Sequence, residues 1–95
     1  MMGRQKVRQF SRSEFGKCLY DLMLSRDIVT ARELADRMQE AGKNTTDRVI
    51  RQYWSGTSRP SIAFMKNLAE VLELSRNEKA RLAMSVYYDD EWREL

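Results

Sequence analysis

The feature that most restricts this chain is the spacing of its apolar residues, which recur every three or four positions from Phe15 to Val86 and nowhere alternate over the length of a strand. That period belongs to helices that bury one stripe against their neighbours. Proline occurs once, at Pro60, and neither an internal repeat nor a low-complexity tract interrupts the pattern. A chain of 95 residues built this way is expected to form one compact all-α domain.

Start and stop signals divide the pattern into five helices, expected at about residues 12–26, 31–41, 46–55, 62–72 and 76–88. Ser11 with Glu14, Thr30 with Glu33 and Ser75 with Glu78 each set a hydroxyl three residues before a carboxylate, the reciprocal cap of a helix N-terminus. Asn44, Thr45 and Thr46 offer a cap for the third helix, and Gly42 and Gly56 stand where the second and third end. The inward stripes are Phe15, Cys18, Leu19, Leu22 and Met23, then Leu34, Ala35, Met38 and Ala41, then Val49, Ile50, Tyr53 and Trp54. Ile62, Met65, Leu68, Ala69 and Leu72 follow on the fourth helix, and Leu82, Val86 and Tyr87 on the fifth. Residues 1–10 read as a basic flexible arm, 11–88 as the domain and 89–95 as an acidic and aromatic tail.

Composition removes whole classes of chemistry. There is no histidine and a single cysteine, so an intrachain disulfide, the usual zinc ligand sets and His-based triads are excluded. Cys18 lies on an apolar stripe, where cysteine behaves as a small hydrophobe. With no phosphate-binding glycine loop and no carboxylate pair suited to a cleft, no enzymatic activity, metal or cofactor is expected. No apolar run is long enough for a membrane span, and the N-terminus is polar and basic, so a cytoplasmic protein is expected.

Charge is uneven. Residues 1–60 carry 12 Lys and Arg against 7 Asp and Glu, whereas residues 61–95 carry 5 against 7. A polyanion such as DNA is drawn to the first part, and the run Asp89, Asp90, Glu91 is repelled from phosphate.

Between Val29 and Leu74 one arrangement is more specific. Gly56 is followed after three residues by Pro60-Ser61-Ile62, then by Leu68-Ala69 and Leu72, while Thr30, Glu33, Leu34 and Ala35 open the second helix. In this order and spacing the chain resembles the lambda-repressor-like helix-turn-helix family of phage repressors, Cro proteins and XRE-type bacterial regulators. The resemblance implies a helix-turn-helix domain that binds double-stranded DNA and regulates transcription, most often as a repressor, in a bacterial or phage nucleoid. It also implies that the second helix crosses the DNA backbone and the third lies in the major groove.

On that reading Thr46, Asp47, Arg48, Arg51 and Gln52 are the base-reading positions, with Arg48 and Arg51 able to fork onto guanine and Gln52 to pair with adenine. Asp47 either interacts with its own helix N-terminus, accepts from cytosine or orients Arg51 four residues on. Thr30, Arg32, Thr57, Ser58, Arg59 and Ser61 fall where phosphate contacts are expected. Arg4, Lys6, Arg8 and Arg12 form either an arm that enters an adjacent groove or a solubilising terminus.

Three departures from the family accompany these matches. Ala31, with Arg32 beside it, stands where glutamine is common. Trp54 and Met23 stand where a Glu–Arg pair is common, so an apolar contact is expected in its place. The connection between the second and third helices is about five residues longer than usual, which loosens the turn.

Tyr87, Tyr88 and Trp92 either close the core or form a dimer contact, and a homodimer is expected because one such domain reads few base pairs. The competing reading is an antitoxin or adaptor that binds a protein partner through the C-terminal helix.

Overall fold

The computed structural model describes residues 13–93, and among these it is all-α. Five helices follow in order: α1 (Glu14–Leu24), α2 (Ala31–Glu40), α3 (Asp47–Ser55), α4 (Ile62–Val71) and α5 (Arg76–Arg93). α1 packs against α3 and α5, and α2 packs against α3 and α4. The shared core holds Phe15, Leu19, Met23, Leu34, Met38, Ile50 and Leu68, each almost without solvent contact. Burying a side chain of this size stabilises the fold by roughly 1.5–3 kcal/mol.

Each helix begins on a side-chain acceptor. Thr30 and Glu33 form the reciprocal cap of α2, and Ser75 and Glu78 that of α5. Thr46 and Ser61 cap α3 and α4. The expected cap of α1 is corrected: Ser11 lies outside the described residues, and Ser13 is the N-cap, its Oγ accepting from Gly16 N at 2.9 Å. The N–H groups of Glu14 and Phe15 donate instead to the two carboxylate oxygens of Asp89, at 2.8 and 3.0 Å.

That contact explains a second correction. Residues 89–93, expected as part of a tail, continue α5. Asp89 lies three and seven positions after the buried Val86 and Leu82, on the inward side of the helix, and so meets the N-terminus of α1.

The four helix ends that lead into connections share one geometry. Asp27, Gly42, Gly56 and Glu73 have φ of 60°, 82°, 80° and 52°. The next residue in each case donates back across five positions: Ile28 N to Met23 O, Lys43 N to Met38 O, Thr57 N to Gln52 O and Leu74 N to Ala69 O. These bonds close carbonyls that the helix leaves open. Ile28 and Leu74 are buried, so two of these turns also anchor an apolar side chain in the core.

The long connection from α2 to α3 is pinned rather than loosened. Gln39 Nε2 donates to Thr45 O at 2.8 Å, and Lys43 Nζ pairs with Glu70 Oε1 at 3.0 Å, tying the link to α2 and α4. Arg26 ties the other end of the molecule. Its guanidinium bonds both oxygens of Glu78 at 2.8 Å while Nε donates to Leu72 O at 3.0 Å, joining the ends of α1 and α4 to the start of α5.

Some inward positions differ from expectation. Ile62 is 65% exposed because it is the first residue after the Ser61 cap, and Phe64 fills the core instead. Ala41 is exposed at the end of α2. Tyr87, expected beside Leu82 and Val86, faces solvent at 60% exposure.

Candidate nucleic-acid interface

α3 is short, and its two sides are unlike. Ile50 and Tyr53 are buried and Val49 and Trp54 pack against the same core, so the opposite side is left to solvent. At about 100° per residue, Asp47, Arg51, Arg48 and Gln52 fall within an arc of roughly 140° on that side. Four of the five expected base-reading side chains are therefore brought together on one surface, and Thr46 lies apart from them, beside Val49 and Tyr53.

Their local partners differ. Thr46 is exposed, but its Oγ1 accepts from Val49 N at 3.3 Å and so serves the cap. Asp47 pairs with Arg51 across one helical turn, Oδ2 to Nη2 at 3.0 Å. Of the interactions open to Asp47, this is the one with Arg51 four residues on, and the Arg51 side chain remains 64% exposed. Arg48 is exposed and has no side-chain partner among the described residues. Gln52 is half-buried, and its Oε1 accepts from Ser58 Oγ at 3.4 Å, which turns it toward the following loop.

The expected phosphate contacts lie at helix starts and in the loop after α3. Thr30 and Ser61 are exposed N-caps, and Arg32 is exposed in the first turn of α2. Thr57 and Ser58 both donate their N–H to Gln52 O, and Thr57 Oγ1 lies 2.7 Å from Ser55 Oγ, so the loop is internally bonded. Gly56 ends α3 in the left-handed region, and a Cβ there would lie 3.3 Å from Ser13 Cβ, which sets how closely this loop approaches the start of α1.

Arg59 is not left open as expected. Its Nε and Nη2 form a two-pronged pair with Asp90, at 2.9 and 2.8 Å. The acidic run thus lies against the loop where phosphate contacts are expected, a relation that sequence separation hides. Arg4, Lys6, Arg8 and Arg12 lie outside the described residues.

Trp54 meets Tyr20 edge-on at 5.7 Å between ring centres, while Met23 is wholly buried in the cluster on which Trp54 packs. The apolar replacement is therefore centred on an aromatic pair. Its indole Nε1 is buried with no hydrogen-bond partner.

A second surface lies on the outer side of α5. Met84, Tyr88 and Trp92 follow at intervals of four and are 62%, 49% and 58% exposed, with Tyr87 beside them. Between this stripe and α1 runs a groove of about 530 Å³, its edge carrying Glu14, Lys17, Asp21 and Arg81. Cys18 reaches the groove wall, where burial pushes its thiol pKa up and so disfavours the reactive thiolate.

Compared with family models, with curated proteins and with solved structures, the chain has no match. Among the described residues no helix is long and apolar enough to cross a membrane.

Proposed function

We propose that the protein is a sequence-specific regulator of transcription, a repressor that binds double-stranded DNA with α3 in the major groove. The observation that carries this reading is the two-sided character of α3. One side is locked into the core by Ile50 and Tyr53, and the other presents Arg48 without a competing ion pair and Arg51 held by Asp47. An oriented guanidinium matches the paired acceptors of guanine, and each good pair contributes about 1–3 kcal/mol of discrimination.

The helix-turn-helix is formed by α2 and α3, with the starts of α2 and α4 and the loop after α3 as positioning contacts. The protein acts without a catalytic centre, in a bacterial or phage nucleoid. Two copies associate through the outer stripe of α5. The adjoining groove edge carries two acids and two bases, the balance a self-complementary twofold contact uses. Such a dimer sets its two α3 helices about one DNA turn apart, about 34 Å.

The same exposed stripe favours one competing reading, an antitoxin or adaptor whose main partner is a protein seated on α5. Substitution separates the two. Arg48→Ala and Arg51→Ala are each expected to relax base preference at one position of a bound site, measured by competition among single-base variants. If both lose affinity equally for every sequence, α3 is not the reading helix.

A further inference from the structure

Two helices begin beside one groove. The N-caps Thr46 of α3 and Ser61 of α4 both line a groove of about 290 Å³, together with Asn44, Ala63 and Asn67. Each cap hydroxyl takes one N–H, that of Val49 or of Phe64. The first N–H groups of α3 and α4 have no acceptor within their helices, and both helix starts carry partial positive charge.

Two hydroxyl-bearing residues that are themselves buried make this more than a pair of helix starts. Thr45 and Tyr53 are each only 8% exposed, and both line the same groove. The Tyr53 ring is fixed between Phe15, 6.1 Å away and edge-on, and Phe64, 4.5 Å away. Its hydroxyl has no hydrogen-bond partner among the described residues, and neither has that of Thr45, whose carbonyl alone is engaged. Neither hydroxyl is sealed from solvent, since Trp54 Nε1 is the buried unpartnered side-chain atom among the described residues.

The groove therefore gathers hydroxyl, amide and backbone donors, and no carboxylate lines it. A set of convergent donors at two helix starts fits an oxyanion. We propose that this groove seats a backbone phosphate of the bound duplex, with the hydroxyls of Tyr53 and Thr45 donating to its oxygens. The inference rests on the DNA-binding reading and adds to it an uncharged clamp next to the leading turn of α3. Such a clamp fixes how deeply α3 enters the groove without itself reading a base.

Tyr53→Phe tests this, because it removes the hydroxyl and keeps the packed ring. At an unchanged melting temperature it is expected to weaken binding of every duplex by about three- to tenfold, cognate and random alike. The slope of log affinity against log salt should stay unchanged, because an uncharged donor releases no counterion. A variant that binds all duplexes as tightly as wild type, or that changes which sequence is preferred, overturns the proposal while leaving the DNA-binding reading intact.

If the wild-type protein binds no duplex, that reading falls and the groove is judged separately with inorganic phosphate at constant ionic strength. Shifts of the Thr46, Asp47, Ile62 and Ala63 amide resonances that weaken in Tyr53→Phe retain it as a phosphate site. Absence of shifts overturns it.

Discussion

Replacing Asp89 with alanine should destabilise the fold far more than its place in an acidic run suggests. Its carboxylate accepts from Glu14 N at 2.8 Å and from Phe15 N at 3.0 Å, and so satisfies two of the four open N–H groups of α1. A lost N-cap acceptor costs about 1 kcal/mol, and solvent around a half-buried carboxylate keeps each of the two bonds near that value, so together they come to about 2 kcal/mol. Alanine returns about 0.5 kcal/mol through its higher helix propensity, leaving a net loss of about 1.5 kcal/mol. For a domain of this size that lowers the melting temperature by about 6–12 °C.

The assay is thermal and urea unfolding of Asp89→Ala beside Glu91→Ala, which removes the same charge from an exposed position and should change stability by less than about 0.5 kcal/mol. Asp89→Asn, which keeps one neutral acceptor, should fall between. An Asp89→Ala variant no less stable than Glu91→Ala would refute the cap.

Two further outcomes follow from the other long-range pairs. The Arg26 guanidinium and the Ser75 N–H hold the Glu78 carboxyl well below its ordinary value, at about 2. Because this pKa is lowered on folding, its contribution is complete above the ordinary carboxylate value near 4.5 and is lost as pH falls toward about 2. The stability gap between wild type and Glu78→Gln, measured by urea unfolding, should therefore be constant near neutrality and close across that acid window. Asp90→Asn should strengthen binding of all duplexes alike at low salt, measured by fluorescence anisotropy. It weakens the pair that occupies Arg59, leaving that guanidinium readier for phosphate.

What could be read from the sequence was local. Thr30 with Glu33 and Ser75 with Glu78 announce helix starts because both partners lie within one turn. Gly42 and Gly56 announce helix ends because only glycine takes the left-handed region without strain. The same turn at Asp27 and Glu73 gives no such sign, since neither residue type marks a left-handed position in the way glycine does. Asp89 and Asp90 looked like a solvated tail because their partners lie 75, 74 and 31 positions away.

The outward side of α3 is legible from helical period alone, and Arg48 and Arg51 are exposed on it. Ser58's hold on Gln52 and Asp90's hold on Arg59 were not, because both depend on how the loop after α3 folds back. Tyr53 illustrates a different limit. Its spacing marks it as core, and its ring is core, yet period carries no information about where a hydroxyl at the ring's far end emerges.

Specific recognition of duplex DNA is tested by selecting bound sequences with the purified protein from a random duplex pool at near-physiological salt. A dimer that reads DNA through α3 recovers one motif, an inverted repeat with half-site centres about 34 Å apart. Recovery of no motif, with binding confined to low salt, would contradict specific recognition.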